Sequence, residues 1–263
     1  MRIVIRTWGA IILLLATAIV SAPRSAGQAP EPISAAVLVS ANAEWAVVRT
    51  LFPNEAYQKS PFGEFFLRDF RLPDGSSRRV LVFHGGWGKV AAAASTQYAI
   101  DRFAPGLLIN FGTCGGFEGA IERNSIILAD RTVIYDIIER MGDFEGAIRD
   151  YTTDIDLTWL TGKPPLDVVR GTLVSADQDL DPAAIAGLRK KYGAAAGDWE
   201  SGAIAYTAVR NSKRVLILRG VTDLVNTHGG EAYGKIEVFQ AASKSIMKRL
   251  FDSLPAWLAA AGS

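Results

Sequence analysis

The alternation of short apolar runs with helical patterns constrains the fold of this chain most strongly. Strand-like apolar runs occur at residues 35–40, 107–110, 125–129, 168–175 and 214–219. Helical patterns lie at residues 43–51, 90–103, 182–192, 201–209 and 233–260. Strands that alternate with helices pair into largely parallel sheets with helices on their faces. We therefore expect one α/β domain around a mixed, mostly parallel sheet.

Local signals add a hairpin, a helix start and a loop. Pro73-Asp74-Gly75 is a turn signal between the strand-like segments 64–72 and 79–85. Asp181 is a candidate N-cap for the helix that follows it. The stretch 135–156 has no clear period, and we expect it to form a long loop over a site, because long loops are often functional.

The amino-terminal segment has the pattern of a secretory signal. Arg2 and Arg6 precede the almost wholly apolar run 8–20, and small residues follow it. That run is shorter than the ~20 residues of a membrane-spanning helix. We assign residues 1–29 to a signal peptide with a short linker and residues 30–263 to a single domain. The protein is expected to be periplasmic or secreted, with an uncleaved signal as its one route to a membrane.

Charge and cysteine content narrow the function. The chain of 263 residues has a formal net charge of +1 and no long basic run, which argues against nucleic acid as a partner. Cys114 is the one cysteine, so an intramolecular disulfide is excluded, and we expect it to pack as a small apolar residue. Two histidines, His84 and His228, without a cysteine cluster do not predict a zinc site.

Two carboxylates stand at the edges of hydrophobic elements near the end of the chain. Glu200 precedes the helical pattern 201–209, and Asp223 follows the strand-like run 214–219. Ligands of α/β proteins bind at that edge of the sheet, so the pair predicts a polar small-molecule site with acid/base chemistry. Two structural roles stay open. Asp223 could form an ion pair with Arg219, and Glu200 could simply interact favourably with the dipole at the start of its helix.

Two glycine clusters follow strand-like runs. His84-Gly85-Gly86-Trp87-Gly88 precedes a helix, and Gly112-Thr113-Cys114-Gly115-Gly116 follows the run 107–111. Neither cluster matches a phosphate-binding fingerprint. Taken alone, each predicts a tight turn rather than a ligand cradle, because glycine mostly serves backbone geometry.

In chain order the motifs are Glu44 after the first strand, GGWGKVAAA, INFGTCGGF, GTLVSADQD, DWESGAIAY and LILRGVTDLV. This series resembles the 5′-methylthioadenosine/S-adenosylhomocysteine nucleosidases of the nucleoside phosphorylase family, and the plant-type enzymes most. The resemblance spans about residues 35–253. It implies a three-layer α/β/α sandwich, a homodimer, and cleavage of the N-glycosidic bond of a purine nucleoside without metal or organic cofactor.

The resemblance also implies roles for individual residues. Asp223 would protonate or hydrogen-bond N7 of the purine. Glu44 would orient and deprotonate the attacking water, and Glu200 would accept hydrogen bonds from the ribose hydroxyls. The remaining implied substrate-binding residues are Trp199, in place of the family's usual Met, Thr113, Arg219, Thr222, Gly112, Asp179 and Leu180.

The chain departs from the family at the surface for the base. Asp179 lies where an aromatic or Met residue usually packs on the purine, and a carboxylate does not replace that contact. The segment 40–44 has no Arg for phosphate and offers Glu44 instead, which favours hydrolysis over phosphorolysis. Two alternatives stay open: a phosphate-dependent phosphorylase, and a non-catalytic nucleoside-binding or storage protein on the same fold.

Overall fold

The apolar runs of the sequence form the centre of a mixed sheet. A computed structural model describes residues 33–262, so the predicted signal peptide lies outside the described residues. The strands are β1 (Ala35–Val39), β2 (Gln58–Lys59), β3 (Glu64–Arg71), β4 (Ser77–His84), β5 (Leu107–Phe117), β6 (Ile126–Ile134), β7 (Thr152–Asp154), β8 (Val168–Ser175), β9 (Ala194–Asp198), β10 (Arg214–Asn226) and β11 (Gly229–Gly230). The helices are α1 (Asn42–Leu51), α2 (Gly88–Phe103), α3 (Phe144–Asp150), α4 (Ile185–Tyr192), α5 (Ser201–Arg210) and α6 (Ile236–Ala260).

Strand β5 is the hub of the sheet. It runs parallel to β1 and to β10 and antiparallel to β9. Strand β6 pairs with both β10 and β8, and β8 pairs with β9, so five strands close into a ring. On the other side of β1, the predicted hairpin β3–β4 extends the sheet. The central strands are almost wholly buried, which is why their sequences are continuous apolar runs rather than alternating ones.

The helices pack in two groups, α1 with α6 and α2 with α5. The α/β class predicted from the alternation of patterns is thereby confirmed. Among the described residues, no helix has both the length and the apolar character needed to cross a membrane.

Several local expectations are corrected. The glycine cluster 112–116 is not a turn but the second half of β5, because β10 pairs with it over its whole length. The stretch 135–156 contains α3 and β7 rather than a continuous loop. Asp181 does not cap α4, which begins at Ile185; its carboxylate instead accepts a hydrogen bond from the Ala183 N–H in the preceding turn. The other glycine cluster is a turn as predicted, with positive φ at Gly86 and Gly88.

Candidate active site

A cavity of about 680 Å³ opens where β1, β5 and β10 end. Its volume is in the range of small-molecule sites. Every site residue predicted from the sequence lines it except Gly112, which lies directly beneath the Arg219 guanidinium. The lining residues among the predicted set are Glu44, Thr113, Asp179, Leu180, Trp199, Glu200, Arg219, Thr222 and Asp223.

Arg219 organises the polar end of the cavity. Its guanidinium is about 1% exposed and contacts three carboxylates: Nε lies 2.8 Å from Asp198 Oδ2, Nη2 lies 3.1 Å from Glu200 Oε2, and Nη1 lies 3.5 Å from Glu44 Oε1. Burial alone would lower the pKa of Arg219, but these carboxylates raise it above its ordinary value. Asp223 is not among the three, so the alternative of an Arg219–Asp223 ion pair is wrong.

Glu44 is held by backbone and side-chain donors. It lies in the first turn of α1 and is about 1% exposed. Its Oε1 accepts from the backbone N–H and the hydroxyl of Thr113, at 2.7 and 2.8 Å. Its Oε2 accepts from the Ala41 N–H at 3.2 Å, the reverse half of a capping box. Glu44 therefore caps its helix and also presents a fixed carboxylate to the cavity.

Glu200 joins the glycine turn to the Arg219 cluster. It lies at the N-cap position of α5. Its Oε1 accepts from the Gly88 N–H at 3.1 Å, and Oε2 binds Arg219. Burial raises the pKa of Glu200 above its ordinary value; Arg219 opposes that shift, and Asp198 and Glu44 add to it. One cation among three buried carboxylates thus leaves Glu200 prone to carry a proton.

Asp223 lies apart from the Arg219 cluster because of a bulge in β10. Val221 pairs with Cys114 and Asp223 with Gly115, so Thr222 is an extra residue. Bulges of this kind redirect side chains and are frequent beside active sites. Burial raises the pKa of Asp223, against hydrogen bonds from the Thr222 hydroxyl, at 2.7 Å, and the Ala232 backbone. A carboxyl group with these properties is suited to donate a proton.

The segment predicted to contact the base divides into an exposed and a buried part. Asp179 is exposed at the cavity edge, whereas the Leu180 side chain is buried against Gly115 and Gly197. The Leu180 carbonyl oxygen accepts a hydrogen bond of 2.6 Å from the Tyr233 hydroxyl. The structure thus provides an apolar floor at Leu180 and no apolar contact from residue 179.

The lining residues that the sequence interpretation missed include Asp198, Trp87 and Tyr233. Asp198 binds Arg219 and accepts from the Ser175 hydroxyl at 2.6 Å. Trp87 stacks on Trp199 with ring centroids 4.5 Å apart. Asp198 stands two residues before Glu200 and could have been found as a second acid at the same strand end. Trp87 and Tyr233 have no such signal, since contacts between segments far apart in the sequence bring them to the cavity.

Cys114 and His84 have structural environments. Cys114 is buried, and burial raises the pKa of its thiol. His84 Nε2 lies 3.1 Å from the Ser40 carbonyl oxygen, and its ring stacks on Trp45. These contacts agree with the structural roles expected for both residues.

An α/β sheet whose strand ends hold buried acids around an arginine defines a polar small-molecule site. Comparison with known proteins identifies the family: the Phosphorylase superfamily model matches residues 37–254. The chain belongs to this family, and the predicted resemblance is confirmed at that level.

The two curated relatives compared with this chain have the same name. The chain is 28% identical over 197 residues to the 5′-methylthioadenosine/S-adenosylhomocysteine nucleosidase of Maridesulfovibrio salexigens, covering 70% of this chain and 84% of that protein. It is 29% identical over 157 residues to the enzyme of the same name from Thermotoga maritima, covering 59% and 71%.

Solved structures of similarly named proteins share the fold. The apo 5′-methylthioadenosine nucleosidase of Arabidopsis thaliana superposes with a TM-score of 0.68 at 20% identity, covering 87% of this chain and 97% of that one. The Neisseria meningitidis nucleosidase in complex with methylthio-immucillin-A gives a TM-score of 0.66 at 19% identity, covering 85% and 99%.

Proposed function

We propose that this protein is a purine nucleosidase that hydrolyses the N-glycosidic bond of nucleosides resembling 5′-methylthioadenosine and S-adenosylhomocysteine. The observation that carries the proposal is the convergence of Glu44, Glu200 and Asp223 on one cavity large enough for a nucleoside. The relatives named above bear the name of this activity, and the Neisseria meningitidis protein was solved in complex with methylthio-immucillin-A.

Asp223 serves the leaving base. Cleavage of the bond drives electrons into the purine, which must accept a proton to leave. Because burial raises the pKa of Asp223, its carboxyl group is better suited than an exposed one to donate a proton to N7. Thr222, hydrogen-bonded to Asp223 Oδ1, fixes the orientation of that carboxyl group.

Glu44 and Glu200 serve the sugar. The ribose becomes oxocarbenium-like as the base departs, and a fixed carboxylate beside it stabilises the developing positive charge. Glu200, held by Gly88 and Arg219, also accepts hydrogen bonds from ribose hydroxyls. Glu44 retains acceptor capacity on Oε2 for a water, which it orients towards the anomeric carbon and deprotonates.

The charge of the cavity favours water over phosphate as the nucleophile. Arg219 forms ion pairs with Asp198, Glu200 and Glu44, so its positive charge is already compensated. Phosphate would enter beside three carboxylates, and like charges in a buried site repel strongly. Hydrolysis is therefore the expected reaction.

The test is base release by the purified mature chain from methylthioadenosine, S-adenosylhomocysteine, adenosine and inosine, with and without phosphate. Asp223→Asn keeps the shape of the side chain but removes the proton donor, so turnover should fall by about 10²–10⁴-fold with an unchanged melting temperature. Ribose 1-phosphate formation that requires phosphate would establish a phosphorylase. Tight nucleoside binding without turnover would establish a binding or storage protein.

The surface beside the cavity supports our proposal of a homodimer. Trp87, Val90, Ile138 and Met141 are 63%, 82%, 64% and 98% exposed. The ion pair of Lys89 with Asp136 joins the two segments that carry them. Exposed apolar clusters of this kind mark interfaces. Val90→Asp should convert the dimer to a monomer in sedimentation; a wild-type monomer would refute the proposal.

Export rests on the amino-terminal sequence pattern. Expression of the full chain in a Gram-negative host, followed by fractionation and amino-terminal sequencing, tests it. Recovery of uncleaved chain in the cytoplasm would contradict the proposed periplasmic or secreted location.

A further inference from the structure

The segment between β10 and α6, residues 226–235, lies beside the candidate proton donor. A tight β10–β11 hairpin begins it, with Val225 paired to Gly230. Glu231 then accepts a hydrogen bond of 2.8 Å from the Leu224 N–H, and the backbone of Ala232 hydrogen-bonds the Asp223 carboxyl group. The segment is therefore tied to β10 at Asp223 and at the two residues that follow it.

Tyr233 projects from this segment into the cavity. Its hydroxyl donates a hydrogen bond of 2.6 Å to the Leu180 carbonyl oxygen. The ring packs against the backbone of Gly230 through Cδ1, Cε1 and Cζ, and an added Cβ at Gly230 would come within 2.6 Å of the ring. Tyr233 is nevertheless 40% exposed as a residue, and it lines the cavity together with Asp223 and Leu180. An aromatic ring is thus held in place with a free surface at the end of the cavity that contains the proton donor.

Residue 179 leaves a gap in base recognition that this ring can fill. Asp179 is exposed at the cavity edge and offers a carboxylate where an apolar contact is needed. A purine requires a flat apolar partner, since stacking on an aromatic side chain contributes about 1–3 kcal/mol. Tyr233 presents such a surface, and its hydroxyl bond limits the rotation of the ring.

We propose that Tyr233 is the base-recognition residue of this protein and that its ring, fixed on Leu180 and Gly230, stacks on the purine whose N7 Asp223 protonates. The inference rests on the proposed function for its substrate. It adds a specificity-determining residue outside the set that the sequence predicted.

The experiment measures binding of free adenine and hypoxanthine by isothermal titration calorimetry. Tyr233→Leu and Tyr233→Ala remove the ring and should weaken binding about 5- to 150-fold, the range that loss of one stacking contact gives. Tyr233→Phe keeps the ring and loses its hydrogen bond, so binding should weaken about 2- to 10-fold. Tyr57→Phe is the matched control, because Tyr57 also donates to a backbone carbonyl, that of Phe52 at 2.9 Å, outside the cavity.

Melting temperatures show whether each variant is folded. Two variants without the ring are used, so that the test can still be made if one of them does not fold. Folded ring-deletion variants that bind the bases as tightly as wild type would overturn the inference. Tighter binding would also overturn it, since it would show that the ring blocks the site. A wild-type chain that binds adenine but releases no base would refute the proposed hydrolysis and leave the role of Tyr233 readable from the same titrations.

Discussion

Replacing Arg219 by Met removes the one positive charge among three buried carboxylates. Methionine has a similar length and no charge, so the change deletes the ion pairs with little loss of volume. The side chains of Arg219, Asp198, Glu44 and Glu200 are between 1% and 4% exposed, so solvent does not compensate the acids that remain. Their only remaining route to neutrality is protonation.

The magnitude follows from leaving buried carboxylates without their cation. Breaking a buried ion pair by removing one partner costs about 3–5 kcal/mol in the free energy of unfolding. For a domain of this size that corresponds to a fall of roughly 6–20 °C in melting temperature. Because protonation relieves the cost of an uncompensated buried carboxylate, the loss should be larger at pH 8 than at pH 5.

Differential scanning calorimetry at both pH values measures the effect. Arg131→Met is the matched control: Arg131 pairs with Asp154 at 2.5 Å, but both side chains are at least half exposed. A surface pair contributes about 0–1 kcal/mol, so this variant should melt close to wild type. If Arg219→Met melts with the control, or if its loss is equal at pH 5 and pH 8, the charge balance inferred for the cavity is wrong.

Two further predictions concern the same cluster. Burial raises the pKa of Glu200 from 4.5 to about 7, so the folded chain binds a proton in that window that the unfolded chain releases. Stability should therefore be highest below pH 4.5 and fall by on the order of 3 kcal/mol as pH rises to 7, relative to Glu200→Gln. Base release should change in the opposite direction and decline below about pH 7, because ribose binding uses the carboxylate; parallel pH profiles of stability and activity would contradict this assignment. Gly112→Ala places a methyl group against Arg219 Nη1 and 2.9 Å from Glu44 Oε1, and this overpacking should cost about 1–3 kcal/mol and lower base release. Gly171→Ala, where no atom lies within 4 Å of the new Cβ, is the control, and equal melting of the two variants would show that the close approach is not required.

The fold was largely predictable because its central strands are buried on both faces. Runs such as Leu107–Asn110 have no polar alternation and stand out as strands. The second half of β5 was not predictable, because its glycines are required by side chains from distant parts of the chain. Gly116, for example, faces Val221 and Leu224, and no local signal shows those partners. Strand β9 was missed for a similar reason: Ala194–Asp198 is short and is defined by pairing with β8 and β5.

The candidate site was predicted where its residues follow strands and missed where long-range packing places them. Glu44, Glu200 and Asp223 each follow or end an apolar element, so position along the chain indicated the cavity. Tyr233 comes from a segment read as the start of the terminal helix, yet α6 begins at Ile236. Its hydrogen bond to Leu180 crosses 53 positions of sequence, a distance over which a single sequence carries no information.

The sequence interpretation did not draw the full consequence of an arginine at the end of an apolar run. Arg219 follows the run 215–218 in β10, and all four residues of that run are buried. The charge of Arg219 therefore had to be compensated within the protein. Burying a guanidinium without a partner is costly, and the sequence therefore implied carboxylates at the same sheet edge. Glu44, Asp198 and Glu200 supply them. The acids that the proposed reaction needs are thus also the acids that make the buried arginine tolerable, which couples the stability of this sheet edge to its chemistry.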